Sequence, residues 1–126
     1  MNLLISIKPE FVKKIILGEK KYEFRRSIFR QKVDKIYIYS TSPEKKIKGY
    51  FKSSKIINDT PENLWKNFKD VSGTSKEFFF EYFKGKETGF AIKIDDLHVF
   101  DQPIDTNKLK DFKAPQSFRY INEDLF

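Results

Sequence analysis

The sequence predicts an α+β fold in which about five to six short mixed strands curl into a small β-barrel, decorated by about three helices. Several short segments alternate apolar and polar residues. A helical pattern follows the first of these segments, and a pair of helical patterns precedes the last. The chain has only 126 residues, but its 14 Phe and 6 Tyr can form a substantial core. We therefore expect one domain over residues 1–126.

The first third of the chain predicts a strand, a helix and a second strand. Residues 3–7 alternate in hydrophobicity, which indicates a strand. Pro9 is typical of the first helical position, and Gly18 is typical of a helix end. Residues 21–26 alternate again, so a second strand is expected directly after the helix.

The middle of the chain predicts two further strands. Residues 33–40 contain an apolar run on both strand faces, which is typical of an interior strand. Residues 46–57 resume alternation. Gly49 interrupts that pattern and indicates a bulge or a close backbone approach.

Two helices and a last strand are expected next. Thr60 and Pro61 form a helix start, and residues 74–77 have the spacing of a capping box. The aromatic stripe of these helices, which includes Trp65, is more typical of a core than of a stacking platform. Residues 90–94 predict a strand, and Asp95-Asp96 shift its phase. The tail, residues 101–126, is expected to pack back on the domain with a short strand.

Composition limits the chemistry that the chain can perform. The net charge of +7 and the pI of about 9.5 favour polyanionic partners, although solvated lysine-rich faces explain them equally well. The absence of cysteine excludes disulfides and thiolate nucleophiles, and His98 is the only histidine. We expect no metal and no cofactor. The N-terminal apolar segment is too short for a signal peptide or membrane span, so we expect a cytoplasmic protein with no membrane partner.

The segment 18–26 is the strongest candidate for a site. A rigid strand beside a helix terminus can hold charged groups at fixed separations. Lys20 and Glu23 can form a partly desolvated ion pair there, and Arg25 shares a strand face with Glu23. The alternative is a surface salt bridge worth about 0–1 kcal/mol.

A G-x-K-x-x-E-x-R pattern follows the first helix and consists of Gly18, Lys20, Glu23 and Arg25. Four further segments have the expected order around it: residues 8–9, 38–43, 89–92 and 114–120. On these residues the chain resembles the ASCH domain family, within the PUA-like superfamily. The resemblance implies a small β-barrel with a cleft beside the motif. It also implies binding of RNA or of a nucleoside or nucleotide, with a regulatory role in RNA metabolism or translation.

Two branches of the family imply an enzyme instead. One resembles amidohydrolases that act on N4-acetylcytidine, and the other is linked to ribonuclease activity. Lys20 occupies the lysine position of the amidohydrolases, but Glu23 stands where their threonine nucleophile would be. If the chain is an enzyme, Lys20 and Glu23 are the expected catalytic residues.

The candidate ligand-binding residues come from three parts of the sequence: Lys20, Glu23, Arg25, Ser40, Thr41, Ser42, Gln116, Ser117, Arg119 and Tyr120. The hydroxyls of residues 40–42 can line a cleft, or they can serve only the turn before Pro43. Gln116 can contact a base edge and Tyr120 can stack on a base, or Phe118 alone can hold the tail. We expect a monomer or a weak dimer.

Overall fold

The computed structural model of the chain describes residues 1–122 and has an α+β fold. Residues 123–126, the end of the predicted tail, lie outside the described residues. The strands are β1 (Asn2–Ile7), β2 (Tyr22–Arg25), β3 (Ile36–Ser40), β4 (Lys46–Lys52), β5 (Ile56–Asp59), β6 (Gly89–Lys93), β7 (Asp95–Asp105) and β8 (Phe118–Ile121). The helices are α1 (Pro9–Leu17), α2 (Pro61–Phe68) and α3 (Lys76–Tyr82), with short 3-10 turns at Lys69–Val71 and Thr106–Lys108.

The strands form two mixed or antiparallel sheets. The five-stranded sheet has the order β7-β4-β3-β1-β8, and the three-stranded sheet has the order β2-β6-β5. The pair β1 and β3 is parallel, with Ile5 opposite Ile38, and the crossover between these two strands contains α1 and β2. The other strand pairs are antiparallel.

The five-stranded sheet is buried on both faces at its centre. Leu3 and Ile5 of β1 pack with Val12 and Ile15 of α1 on one face. Leu4 packs on the other face in a second cluster, against which Leu109 and Phe112 of the tail also pack. Burial of both faces explains why most residues of β1 and β3 are apolar or aromatic.

The three-stranded sheet packs against α2 and α3. Phe24 of β2 contacts a cluster that includes Leu64, Phe79 and Phe83. Phe24 and Phe79 meet edge to face, with their ring centroids 5.1 Å apart. The prediction that this aromatic stripe forms core is confirmed for Phe79 and Phe83, because both rings are fully buried.

Several details of the predicted fold are wrong. The described residues form eight strands rather than five or six, because residues 46–57 contribute to both β4 and β5 and because β7 is separate from β6; each of these pairs is divided between the two sheets. The first residue of α3 is preceded by Ser75, whose hydroxyl accepts from the Phe78 N–H at 3.1 Å, so the cap is Ser75 rather than Thr74. Within residues 1–122 the two sheets are separate ladders, and a closed barrel stays a prediction.

Other details are confirmed. The Thr60 hydroxyl accepts from the Asn63 N–H, so Thr60 caps α2. Gly49 lies at a register shift of β4, and a Cβ there would overlap the His98 carbonyl oxygen. The predicted short strand of the tail is β8. Among the described helices, none is long and apolar enough to cross a membrane.

Candidate functional site

A cleft of about 480 Å³ opens between the end of β1, the start of α1, β2 and α3. Its polar lining comes from Ser6, Lys8, Lys20, Glu23, Arg25, Thr41, Thr74 and Gln116. Its apolar lining comes from Ile7, Phe11, Phe24, Phe78, Phe79 and Tyr82. The cleft therefore combines charged groups with aromatic rings in a volume that can accept one nucleotide-sized group.

The end of α1 directs Lys20 into this cleft. The helix stops at Leu17, and the Lys20 N–H donates to the Lys14 carbonyl at 3.1 Å, which turns the chain back along the helix. The Lys20 side chain is only 4% exposed. Its Nζ donates to the Ser72 carbonyl at 2.9 Å and lies 4.8 Å from the centre of the Phe24 ring.

Glu23 lies between two cations. Its Oε1 is 3.6 Å from Lys20 Nζ, and its Oε2 accepts from Arg25 Nε at 3.0 Å and lies 2.9 Å from Arg25 Nη2. Burial lowers the pKa of Lys20, and the negative charge of Glu23 opposes that effect only in part. The three side chains thus form a desolvated group with one more positive than negative charge.

Arg25 joins three parts of the chain. Its Nη2 donates to the Ser6 carbonyl of β1 at 2.6 Å, and its Nη1 donates to Ser117 Oγ at 3.2 Å. Ser117 is in turn held to β1, because its carbonyl accepts from the Ser6 N–H at 2.9 Å. The guanidinium group therefore fixes the carboxylate of Glu23 against the five-stranded sheet.

Aromatic rings form one wall of the cleft. Phe11 of α1 and Phe78 of α3 meet edge to face at 5.2 Å, and Lys8 Nζ lies 5.2 Å from the centre of the Phe78 ring. Phe78 is 39% exposed, so it differs from the buried core of its helix. The Tyr82 hydroxyl accepts from the Arg26 N–H at 3.3 Å.

Nine of these lining residues were not predicted as site residues: Ser6, Ile7, Lys8, Phe11, Phe24, Thr74, Phe78, Phe79 and Tyr82. Phe78 and Tyr82 share a helical stripe with core residues, so hydrophobic periodicity cannot separate them from the core. Lys8 has a sequence signal, because it directly precedes Pro9 within a segment that resembles the family.

Only one of the three predicted residues at the end of β3 lies in the cleft. Thr41 lines the cleft. Ser40 is fully buried, and its hydroxyl donates to Glu44 Oε1 at 2.6 Å. Ser42 is exposed and is not part of the cleft lining. For Ser40 and Ser42, the structure therefore favours a role in the turn before Pro43 over contact with a ligand in the cleft.

Of the four predicted residues near the C-terminus, only one lies in the cleft lining. Gln116 lines the cleft, and Ser117 contacts it through Arg25. Arg119 instead lies over the Phe112 ring at 5.8 Å. The Tyr120 hydroxyl accepts from the backbone N–H groups of Arg30 and Gln31, at 2.8 and 3.0 Å. Neither Arg119 nor Tyr120 lines the cleft. Both belong to β8, which pairs with β1, and their side chains contact these other parts of the chain instead.

Metal ligands are not grouped in the part of the chain that the structure describes. Within residues 1–122, no three His, Asp or Glu side chains lie close enough together to hold a metal ion.

A known protein matches this chain along nearly its full length. The chain is 32% identical, over 126 aligned residues, to the ASCH domain-containing ribonuclease of Zymomonas mobilis, and the match covers 96% of this chain and 84% of that protein. The chain belongs to the ASCH domain family. No family model matches it. This ASCH protein is also 26% identical to the large ribosomal subunit protein uL22 of Ureaplasma parvum, of which it spans 39%.

Solved structures agree with the sequence match. The crystal structure of ASCH from Zymomonas mobilis is 31% identical, covers 97% of this chain and has a TM-score of 0.88. A serine-to-alanine mutant protein of ZmASCH is 30% identical, with a TM-score of 0.89 over the same share of this chain and 89% of that chain. The fold described above is thus that of the ASCH structures.

Proposed function

We propose that this ASCH protein binds RNA, and that one unpaired nucleotide enters the cleft above Lys20, Glu23 and Arg25. One observation carries the proposal: two desolvated cations and one carboxylate lie beneath a wall of aromatic rings. RNA-binding proteins commonly stack splayed bases on aromatic rings and hydrogen-bond the base edges.

The charge of the cleft floor suits an anionic ligand that also has polar edges. Lys20 and Arg25 exceed Glu23 by one positive charge, and all three side chains are largely shielded from water. Glu23 Oε1 faces Lys20 at a distance longer than a hydrogen bond, so it retains capacity to accept from an exocyclic amine. A phosphate oxygen or a base carbonyl can bind the two cations in the same place.

The mouth of the cleft can hold the remainder of a nucleotide. Phe78 presents an exposed ring, and stacking of one base on such a ring is worth about 1–3 kcal/mol. Lys8 Nζ lies beside that ring and is placed to contact a flanking phosphate. Affinity is therefore expected to depend on both aromatic and cationic residues.

The lysine-rich strand β4 contributes less to this proposal. Lys48 pairs with Glu44 at 3.1 Å, and Lys52 pairs with Asp34 at 3.8 Å. These carboxylates partly neutralise the strand, which agrees with the solvated-face interpretation of its lysines. The cleft is a better candidate for RNA contact than β4.

The test of RNA binding uses fluorescence anisotropy of a labelled single-stranded RNA of about ten nucleotides. The variant Lys20→Ala/Arg25→Ala should bind more weakly than the wild type. The slope of log affinity against log salt should fall by about 0.7 for each phosphate contact that is lost. Lys52→Ala is the matched control, because it removes an exposed lysine outside the cleft. Equal affinity and equal salt slopes in all three proteins would refute the proposal.

A second candidate function is cleavage of the bound RNA. Two observations favour it: burial lowers the pKa of Lys20, and the Zymomonas mobilis relative is named a ribonuclease. In the reaction that needs no cofactor, the 2′-hydroxyl oxygen attacks the adjacent phosphorus and the bond to the 5′ oxygen breaks. In its neutral form the Lys20 amine would accept the 2′-hydroxyl proton, and Arg25 would stabilise charge on the phosphate. The leaving 5′ oxygen would take a proton from water or from the Lys20 ammonium group so formed.

Hydrolysis of N4-acetylcytidine has less support. Glu23 occupies the position of the threonine nucleophile of the amidohydrolase branch, but its carboxylate is held by Arg25 and faces Lys20. A paired carboxylate serves better as an acceptor than as a nucleophile.

The assay for catalysis compares end-labelled RNA, DNA of the same sequence and N4-acetylcytidine. RNA cleavage by the wild type should be lost in Lys20→Met and reduced in Glu23→Gln, and the DNA should remain intact because it lacks the 2′-hydroxyl. RNA that stays intact with purified wild-type protein would remove the enzyme candidate and leave binding.

A further inference from the structure

We infer that the turn Ser72–Gly73 is a positioning element that holds the Lys20 ammonium group at the floor of the cleft. Gly73 provides the space for the Lys20 side chain, and the Ser72 carbonyl accepts its hydrogen bond. The inference rests on the proposed role of Lys20 in RNA binding.

The space beside Gly73 is filled by Lys20. A Cβ atom on Gly73 would lie 2.6 Å from Lys20 Cβ, 3.0 Å from Cγ and 3.2 Å from Cδ. Atoms at these distances overlap, so any side chain at this position displaces the stem of Lys20. The φ of Gly73 is also +67°, a conformation that glycine adopts most easily.

Two consecutive carbonyl groups of this turn accept from two lysines. Lys20 Nζ donates to the Ser72 carbonyl at 2.9 Å, and Lys14 Nζ donates to the Gly73 carbonyl at 3.0 Å. The Lys14 carbonyl in turn accepts from the Lys20 N–H. The turn therefore fixes both the backbone before β2 and the direction of the Lys20 side chain.

The turn is itself held in place. The buried Ser72 hydroxyl donates to the Lys69 carbonyl at 2.9 Å and accepts from the Thr74 N–H at 3.3 Å. The Val71 carbonyl accepts from the Lys21 N–H at 2.8 Å, which connects the turn to the start of β2. Because Thr74 lines the cleft, the same turn sets part of the cleft wall.

The test compares Gly73→Ala with Gly85→Ala. Gly85 has a similar φ of +84°, but no atom lies within 4 Å of its hypothetical Cβ, so its variant carries the backbone strain alone. Gly73→Ala should bind the single-stranded RNA about tenfold more weakly, the loss expected when one charge-assisted contact is misplaced. Its salt slope should fall as it does in Lys20→Ala. Gly85→Ala should retain the affinity and the slope of the wild type.

A double variant tests whether Gly73 acts through Lys20. Gly73→Ala should cause no further loss of affinity when Lys20 is already replaced by Ala. Ser72→Ala removes the hydroxyl group that holds the turn and adds no atom, so it should reduce RNA affinity less than Gly73→Ala does. This variant replaces Gly73→Ala in the test if Gly73→Ala does not fold. An additive loss in the double variant, or equal affinities for Gly73→Ala and Gly85→Ala, would overturn the positioning role.

NMR separates failure of this inference from failure of RNA binding. The titration of the Lys20 ¹³Cε resonance should move towards the ordinary lysine value in Gly73→Ala and not in Gly85→Ala. If Lys20→Ala leaves RNA affinity unchanged, RNA binding through Lys20 fails, and the NMR titration still decides whether the turn positions the side chain. An unchanged titration in Gly73→Ala would contradict the positioning role by itself.

Discussion

Replacement of Glu23 by Gln should destabilise the fold by more than an ordinary salt-bridge variant does. The Glu23 side chain is 8% exposed, and its neighbours Lys20 and Arg25 are 4% and 12% exposed. The variant leaves two buried cations without their counter-ion. Removal of one partner from a buried pair costs about 3–5 kcal/mol.

The remaining contacts reduce this cost. Lys20 keeps the Ser72 carbonyl, and Arg25 keeps the Ser6 carbonyl and the Ser117 hydroxyl. The Gln side chain also keeps a carbonyl oxygen that can accept from Arg25. We therefore expect the free energy of unfolding to fall by about 2–3 kcal/mol.

Urea unfolding at pH 7 measures this change, with Asp34→Asn as the matched control. Asp34 also pairs with a lysine, Lys52, but the side chains are 67% and 49% exposed. Its loss should cost only about 0–1 kcal/mol. If Glu23→Gln costs no more than Asp34→Asn, the carboxylate is not an essential counter-ion, and the account of the cleft floor is wrong.

Two further predictions concern the same region. Because burial lowers the pKa of Lys20 below its ordinary value of 10.5, the folded state binds fewer protons than the unfolded state between the two pKa values. The free energy of unfolding of the wild type minus that of Lys20→Met should therefore increase as the pH rises towards 10.5. Urea unfolding of both proteins at several pH values measures this difference, and a decrease would contradict the prediction. Phe79→Ala should cost about 3–5 kcal/mol because it empties a fully buried site, whereas Phe78→Ala should cost far less and still weaken RNA binding. Thermal unfolding and anisotropy distinguish these effects, and similar stability losses in both variants would refute the separation of core from cleft wall.

The local elements of this protein follow from its sequence. Pro9, Thr60 and the glycine after α1 determine where helices begin and end, because their effects depend on backbone geometry within a few residues. The apolar run of β3 likewise predicts a strand buried on both faces, which the structure confirms. The spacing of Lys20, Glu23 and Arg25, together with the family resemblance of that segment, led to the prediction of the segment that lines the cleft.

Tertiary structure alone determined which distant residues join that segment. Ser72 and Gly73 contact Lys20 from 52 and 53 positions away, and no periodicity predicts that approach because it depends on how α2 and α3 pack. Phe78 and Phe79 are neighbours in one apolar stripe and both line the cleft, yet Phe78 is 39% exposed whereas Phe79 is buried in the core. Local sequence determines the conformation of each segment, whereas the solvent exposure of a side chain depends on the packing of all the segments around it.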